Sequence, residues 1–319
     1  MGVLINDLMV FNKNINESPE YYFYRKDWNA IPNKHNRPGF PLGIDIEITA
    51  NCNLKCDFCR TTYNKYPNKM MNIEDYKYII KQIEGKCKTI KLNWRGEPTL
   101  HPDLCEMVKF AKNKNILDVY FNTNAQLLTK DMIIKLNDYG LDRISISIDG
   151  YNKDYYEKVR KGGKWDKLNE NLELLNKYGL NIRKRIQSVL IKSSDIDKIK
   201  EYKENYVNHW KNSCDEILLL ERKEEGEYGA NIFKNKTPFI CEHLHQRLVI
   251  TCEGNIIPCC GDHKEYMNLG NVRNTTIIGG WLKSKSIAQI HYDNNSHFIL
   301  PCINCPFRKV ALTKKGIVP

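Results

Sequence analysis

The sequence predicts an α/β protein in which strands and helices alternate along most of the chain. From Gly43 onward, short runs rich in β-branched residues are separated by segments with apolar side chains at helical spacing. Six such repeats precede residue 221, and this alternation predicts parallel strands joined by right-handed crossovers. Six repeats are too few for a closed eight-stranded barrel. A smaller cysteine-rich segment follows.

The six strand-like runs lie at residues 44–48, 89–94, 117–122, 143–148, 182–191 and 216–220. The helical patterns between them lie at residues 73–83, 104–111, 130–136, 167–175 and 194–206. Gly140 and Gly179 suit the ends of helices, and Ser193 and Ser194 suit the start of one. In such a fold the functional residues are expected at the carboxyl ends of the strands, where the loops gather.

The polar and aromatic residues 1–40 are expected to form an extended leader that packs on one end of the core domain. We assign the core domain to residues 41–236, because residues 223–237 are charged and contain two glycines, as a linker does. A small second domain is expected at residues 237–308, with a tail at residues 309–319.

Composition limits the class of protein and its compartment. The 319 residues include 41% hydrophobic and 27% charged residues, which is ordinary for a globular protein with a sizeable core. There is no run of about 18 apolar residues and no signal peptide, so a cytoplasmic protein without membrane spans is expected. The net charge of +11 comes from dispersed lysines interleaved with acidic residues, which disfavours a nucleic-acid partner. Twelve cysteines without an export signal predict metal sites rather than disulfides.

Three of these cysteines occupy one short loop directly after the first predicted strand of the core. Cys52, Cys56 and Cys59 have Cys-x3-Cys-x2-Cys spacing. Three thiolates can hold three irons of a [4Fe–4S] cluster, and the fourth iron is then open to a small molecule. Zinc sites usually pair Cys-x2-Cys with a second pair, whereas the next cysteine, Cys87, stands alone. The spacing therefore favours an iron–sulfur cluster.

This spacing, with Phe58 before the last cysteine and a strand before the loop, resembles the radical S-adenosylmethionine (SAM) superfamily. The resemblance implies a partial (β/α)6 barrel, in agreement with the number of repeats. It also implies that the open iron binds SAM, that an electron from the cluster cleaves SAM to methionine and a 5′-deoxyadenosyl radical, and that Phe58 lies at the SAM site. A flavodoxin or ferredoxin is the expected electron donor.

Three strand ends carry further similarity to this superfamily. After the second strand, Gly96-Glu97-Pro98 resembles the Gly-Gly-Glu-Pro motif, with Arg95 in place of its first glycine. The resemblance implies that Glu97 or nearby carbonyls accept hydrogen bonds from the SAM ammonium group. The alternative is a simple glycine–proline turn between strand and helix.

The third and fourth strands end in Asn122-Thr123-Asn124-Ala125 and Ser147-Ile148-Asp149-Gly150, which partly match the superfamily's Thr-Asn-Gly and Ser-x-Asp-Gly patterns. Contact of these polar residues with SAM is implied. Capping of the turns is the alternative for the asparagines and for the aspartate. The SAM-binding residues expected here are Asn122, Asn124, Ser147 and Asp149.

Polar side chains of the fifth and sixth strands are candidates for substrate binding or catalysis. Arg185 and Gln187 share one strand face, and basic or polar groups facing a barrel interior are costly unless they are paired or bind something. We expect Gln187 at SAM and Arg185 at the substrate, unless that face is exposed at an edge. Glu221 and Arg222 at the end of the sixth strand are further catalytic candidates.

The second cysteine group begins after the linker. Cys241, Cys259, Cys302 and Cys305 match the four ligands of the auxiliary-cluster extension called SPASM, in its truncated "twitch" form. Four thiolates fully occupy a [4Fe–4S] cluster, and a four-cysteine zinc site is the alternative. Cys260 could replace Cys259 as a ligand. The expected cofactors are two [4Fe–4S] clusters and SAM.

A single four-cysteine auxiliary group resembles that of the aminocyclitol alcohol dehydrogenases and related sugar-modifying enzymes, and this resemblance implies an oxidoreductase. The adenosyl radical would remove a hydrogen atom from a C–H bond of a small polar substrate such as a sugar or aminocyclitol, and the auxiliary cluster would take the last electron. The alternatives are a peptide-modifying enzyme that forms a crosslink or an epimer, and a non-catalytic iron–sulfur protein. An electron carrier needs no vacant iron, which disfavours the last of these.

Overall fold

The computed structural model describes residues 2–12, 18–30, 37–190, 196–224, 241–293, 299, 301–302 and 305. Side chains at positions 2–11, 190, 196–198, 221–224 and 292 lie outside this description. The ten strands are β1 Gly2–Asn12, β2 Gly43–Ile46, β3 Thr89–Lys91, β4 Asp118–Thr123, β5 Arg143–Ser147, β6 Arg183–Leu190, β7 Glu216–Glu224, β8 Arg247–Ile250, β9 Asn255–Ile257 and β10 Gly270–Asn271. The helices are α1 Pro19–Ala30, α2 Arg60–Tyr63, α3 Ile73–Ile83, α4 Leu104–Asn113, α5 Lys130–Asp138, α6 Lys153–Val159, α7 Trp165–Tyr178, α8 Ile196–Trp210, α9 Glu242–Gln246 and α10 Ile277–Tyr292.

One sheet joins all ten strands in the order β1-β7-β6-β5-β4-β3-β2-β8-β9-β10. The six strands β2 to β7 are parallel and follow one another in chain order. A helix precedes each of the strands β3 to β7. This is the open (β/α)6 arrangement expected from the six repeats, so the predicted fold class is confirmed.

The alternation of side chains in β2 shows why these segments form the barrel. Ile44 and Ile46 are buried in the core that also contains the apolar face of α3, and each buried isoleucine contributes about 1.5–3 kcal/mol. Asp45 and Glu47 point to the opposite face because the side-chain period of a strand is two. Asp45 pairs there with Lys91 of β3, at 3.0 Å. The barrel interior is therefore charged and internally paired.

The first forty residues contain more regular structure than the extended leader expected from the sequence. Strand β1 pairs antiparallel with β7, and α1 packs at the amino ends of the barrel strands. A Cβ atom on Gly43, the first residue of β2, would lie 3.1 Å from the Trp28 ring. Tyr24 is buried in the same place. Tyr22 and Phe23 of the same helix are exposed, and the role of residues 1–40 as a leader that covers the core stays a prediction.

The cysteine-rich part of the chain continues the barrel sheet. Strand β8 pairs parallel with β2, and β9 and β10 extend the edge by antiparallel pairing. The turn at Gly254 between β8 and β9 has φ +85°, a conformation that favours glycine. Because β8 and β3 flank β2 on either side, the second cysteine group is placed close to the loops that follow β2 and β3.

Candidate functional site

The first three cysteines lie in the loop between β2 and α2. Cys56 is buried, and Cys52 and Cys59 are half-buried. The Cys59 N–H donates to the Cys56 carbonyl at 3.1 Å, and the Thr62 hydroxyl donates to the same carbonyl at 2.9 Å. Burial, with a contribution from neighbouring thiols of the loop, raises the pKa of Cys52 to about 11 and that of Cys56 to about 12. The three thiols thus lie within electrostatic range of one another, as ligands of one cluster must.

A buried ion pair supports this loop. Arg160 Nη2 lies 2.8 Å from Asp149 Oδ2, and both residues are almost fully buried. Asp149 Oδ1 also accepts a hydrogen bond of 2.7 Å from the Val189 N–H. The Arg160 guanidinium lies 5.5 Å from the Phe58 ring centroid, and its charge lowers the pKa of Cys56. The structure therefore gives Asp149 a supporting role beneath the cluster loop, and its contact with SAM stays a prediction.

Gly96 joins the loop after β3 to the cysteine loop. Its φ is +72°, and a Cβ atom there would lie 2.3 Å from the Thr49 carbonyl oxygen and 2.7 Å from that of Asn51. The Glu97 N–H donates to the same Asn51 oxygen at 2.7 Å. Only glycine fits such a position. The backbone of the Gly-Glu-Pro motif is thus held directly against the residue before Cys52.

The Glu97 carboxylate connects three segments rather than facing an open site. Oε1 accepts hydrogen bonds from the Thr99 N–H, the Thr99 hydroxyl and the Thr123 hydroxyl, at 3.1, 2.7 and 2.7 Å. Oε2 accepts a bond of 2.7 Å from the Asn124 N–H. Glu97 is 2% exposed. Burial raises its pKa, and the four hydrogen bonds oppose this by lowering it. Because a carboxylate offers about four lone-pair sites, these four donors occupy Glu97, and the contact of this motif with SAM stays a prediction.

The other predicted SAM ligands stand after β3 or at the carboxyl ends of β4, β5 and β6: Pro98, Asn122, Asn124, Ser147 and Gln187. Asn124 Nδ2 donates to Asn53 Oδ1 at 2.8 Å and lies 4.0 Å from Cys52 Sγ. Gln187 Nε2 donates to Ser147 Oγ at 3.0 Å. The structure thus brings Asn124 to the cysteine loop, and the contacts of this set with SAM stay a prediction.

The predicted catalytic residue Arg185 is engaged inside the barrel. Its Nε donates to Glu216 Oε2 at 2.5 Å, and Arg183 pairs with the other oxygen of the same carboxylate. Burial and the charge of Arg143 lower the pKa of Arg185. A guanidinium is always protonated in proteins and has no acceptor lone pair, so Arg185 cannot act as a base. The structure therefore engages Arg185 with Glu216, and its role at the substrate stays a prediction. Glu221 and Arg222 belong to β7, and their side chains lie outside the described residues.

The second cysteine group gathers around the start of α9. Burial raises the pKa of Cys241 to about 12, with a further contribution from Cys305. A hydrogen bond with Cys260, burial and the charges of Cys241 and Cys305 raise the pKa of Cys259. Cys241, Cys259, Cys260 and Cys305 therefore lie close together, and the choice between Cys259 and Cys260 stays open.

Two further contacts describe the surroundings of this group. Cys302 Sγ lies 3.3 Å from His291 Nε2 on α10, and Cys305 N–H donates to the Cys302 carbonyl at 3.1 Å. Within the part of the chain that the structure describes, no three His, Cys, Asp or Glu side chains are arranged to hold a single metal ion. The thiolates of a [4Fe–4S] cluster each bind a different iron, so seven thiols in two groups are the donor set that such clusters require.

Four residues form a bridge between the two cysteine groups: Tyr66, Trp94, Arg95 and His263. The Trp94 indole N–H donates to the Cys260 carbonyl at 2.9 Å. Its ring stacks on His263, with centroids 5.6 Å apart and planes at 13°. The Arg95 guanidinium lies 4.2 Å from the Trp94 ring and 4.3 Å from the Tyr66 ring. The bridge thus packs the loop after β3 against the loop after β9.

Arg95 also anchors the bridge electrostatically. It holds both oxygens of Glu47 at 2.5 and 2.8 Å, and its Nη2 lies 3.3 Å from Glu265 Oε1. The Cys252 N–H donates to Glu47 at 3.0 Å, so Cys252 belongs to this network and not to the second cysteine group. Sequence reasoning missed the bridge, and the departure of Arg95 from the motif was the one signal that pointed to it.

The fold and the two cysteine groups define an iron–sulfur protein built on an open (β/α)6 barrel. The family model described as "Radical SAM superfamily" matches residues 46–205, and the SPASM model, described as "Iron-sulfur cluster-binding domain", matches residues 241–306. The chain belongs to the radical SAM superfamily. Its cofactors are [4Fe–4S] clusters and SAM, as the sequence predicted. Among the described residues, no helix is both long and apolar enough to cross a bilayer.

Curated relatives match mostly over part of their length. A "Probable GTP 3′,8-cyclase" of Methanococcus maripaludis strain C5 is 35% identical over 137 residues, which is 42% of this chain and 45% of that protein. The "AdoMet-dependent heme synthase" of Methanosarcina barkeri is 32% identical over 139 residues, 43% of this chain and 40% of that protein. A GTP 3′,8-cyclase of Clostridium botulinum is 26% identical over 274 residues, 72% of this chain and 83% of that protein. The chain thus spans less than half the length of the first two relatives.

Solved structures share the fold at low identity. BtrN in complex with AdoMet and 2-DOIA has 18% identity and a TM-score of 0.59, over 84% of this chain and 93% of that one. Streptococcus suis SuiB bound to precursor peptide SuiA has 17% identity and a TM-score of 0.58, over 95% of this chain and 79% of that one. The enzyme anSMEcpe with bound AdoMet has 18% identity and a TM-score of 0.60, over 79% of this chain and 81% of that one.

Proposed function

We propose that this protein is a radical SAM oxidoreductase that oxidises a C–H bond beside a hydroxyl or amino group of a small polar substrate, such as a sugar or an aminocyclitol. The observation that carries the proposal is the number of thiols in each group. Cys52, Cys56 and Cys59 leave one iron of a four-iron cluster open to SAM. The second group supplies four cysteines and leaves no iron open, which suits a cluster that receives an electron.

The chain's own residues prepare these two sites. When bound, the first cluster and SAM supply hydrogen-atom abstraction, and the second cluster supplies an electron acceptor. The Asp149–Arg160 pair and the Gly96 backbone hold the cysteine loop in place. The bridge fixes the second cysteine group against the barrel, so that a substrate bound between the groups is near both.

Iron content and SAM cleavage test this proposal. Two four-iron clusters predict about eight irons per chain after anaerobic reconstitution. Replacement of Cys52, Cys56 and Cys59 by alanine should remove about four irons and all reductant-dependent 5′-deoxyadenosine. Replacement of Cys302 and Cys305 should also remove about four irons but leave some 5′-deoxyadenosine. A fully reconstituted wild type that forms none would refute the enzyme assignment.

The substrate class is tested with perdeuterated probes. Deuterium transfer from perdeuterated myo-inositol, glucose or glucosamine to 5′-deoxyadenosine, together with a ketone product, supports the oxidoreductase. A second candidate is cyclisation of a purine nucleotide, because several curated relatives bear the name GTP 3′,8-cyclase. Consumption of GTP with no reaction of the polyols would favour that candidate.

The source of electrons and the compartment belong to the same proposal. A flavodoxin or ferredoxin of a reducing cytoplasm would reduce the first cluster. Turnover with purified flavodoxin at a rate comparable to that with dithionite supports this donor, and turnover with dithionite alone argues against it.

A further inference from the structure

Two polar atoms of the bridge are buried without a hydrogen-bond partner among the described residues. They are the Tyr66 hydroxyl oxygen and His263 Nδ1. A buried polar group in this condition costs about 1–3 kcal/mol, and such groups are rare enough in folded proteins that each requires an explanation. Two of them in one small assembly indicate a place where a bound molecule supplies the missing partners.

Both atoms lie between the two cysteine groups. The Tyr66 hydroxyl experiences the charges of Cys59 and Arg60, on the side of the first cluster loop. The His263 ring experiences the charges of Arg60 and Cys260, which places it toward the second group. Arg60 therefore acts on both side chains. A molecule that contacted both atoms would lie beside the first cluster loop and beside the second cysteine group.

The protonation state of His263 suits a proton acceptor. Its pKa is lowered to about 4, chiefly by burial and then by the charges of Arg60 and Arg95, with the charge of Cys260 opposing them. The ring is held against Trp94 by stacking. At neutral pH the imidazole is therefore uncharged and keeps one nitrogen lone pair. The cation of Arg60 nearby favours a substrate oxygen that is losing its proton.

We propose that His263 is the base that removes the hydroxyl proton of the substrate, with the Tyr66 hydroxyl holding the same oxygen. This assignment rests on the proposed oxidoreductase function. With the first cluster and SAM bound, a hydrogen atom would be removed from the carbon that bears the hydroxyl. The carbon radical left behind would lose one electron, which the second cluster would accept when present, and His263 takes the hydroxyl proton as the C=O bond forms. A weak base is sufficient, because the hydroxyl becomes strongly acidic as the electron leaves.

The test compares His263→Asn with the wild type on the three perdeuterated probes named above. Asparagine keeps an acceptor near the position of Nδ1 but cannot hold a proton. His209→Asn is the matched control, since His209 is an exposed histidine that packs on Trp210 at the end of α8. Iron content and 5′-deoxyadenosine formed without substrate are measured for every variant, so that a folding or cluster defect is recognised.

We expect His263→Asn to keep about eight irons and wild-type deuterium transfer to 5′-deoxyadenosine while ketone formation falls at least about 100-fold. Tyr66→Phe should raise KM more than it lowers kcat. Wild-type ketone formation by His263→Asn overturns the assignment, as does an equal loss of deuterium transfer and ketone with both clusters intact. A wild type that takes deuterium from none of the probes refutes the proposed function instead, and the base assignment falls with it.

Discussion

Replacing Arg95 by glycine gives this chain the Gly-Gly-Glu-Pro motif of the superfamily. The structure predicts that this change destabilises the protein. Arg95 holds both carboxylate oxygens of Glu47, and the two side chains are 4% and 0% exposed. Removing the guanidinium leaves a buried carboxylate without its counter-charge, which costs about 3–5 kcal/mol. In a chain of 319 residues this corresponds to a fall of roughly 5–8 °C in the unfolding midpoint.

Anaerobic thermal unfolding of the reconstituted protein, followed by circular dichroism, measures this effect. The double variant Glu47→Gln/Arg95→Gly should recover part of the loss, because the neutral amide removes the buried charge. Arg273→Ala is the control: Arg273 pairs with Asp75 at 2.7 Å on the surface, so its removal should leave the midpoint unchanged. An Arg95→Gly variant as stable as the wild type, or a double variant no more stable than the single one, would refute the reasoning.

Three further perturbations test the site. Gly96→Ala should weaken SAM binding at least about tenfold in calorimetry, because φ is +72° and the added Cβ would lie 2.3 Å from the Thr49 carbonyl oxygen. The control Gly39→Ala, whose Cβ would have nothing within 4 Å, should bind SAM normally. Lowering the pH from 7 to 5 should reduce the free energy of unfolding by about 2 kcal/mol through His263, whose pKa of about 4 lies below its unfolded value of 6.5. Stability decreases as the pH decreases in this window because the unfolded state binds the proton first. A His263→Asn variant with the same acid sensitivity would contradict this. Asp149→Asn should lower the iron content of the first cluster, because it leaves Arg160 buried and unpaired. Iron retained at the wild-type level would argue against a supporting role of Asp149 at the cysteine loop.

The order of strands and helices could be predicted from the sequence because it depends on local periodicity. The predicted helix at residues 73–83 is α3, with the predicted apolar face buried. The strand predicted at residues 89–94 is shorter, Thr89–Lys91, because the chain turns away at the site where Asn93 and Trp94 make tertiary contacts. The helix at Pro19–Ala30 was missed, since its mixed polar and aromatic residues show little helical periodicity.

Parts of the candidate site were also beyond sequence reasoning. Glu97, Asp149 and Arg185 were placed at SAM or substrate on the basis of motif and strand face. In the structure all three form hydrogen bonds or ion pairs with buried residues of other strands or loops. Which partner a buried charge finds depends on strand register and on the cost of leaving it unpaired, and neither is visible in one motif.

The sequence by itself determined the superfamily, the six strand–helix repeats and the two cysteine groups, because cluster ligation requires fixed thiol spacing and the fold requires fixed hydrophobic periods. Only the tertiary structure decided what lies between the groups. Tyr66, Trp94 and His263 come from loops that are far apart in the chain, and they meet because β8 joins the sheet beside β2. That pairing places the loop after β9 against the loop after β3, and long-range pairing of this kind is set by the whole sheet and not by any local pattern.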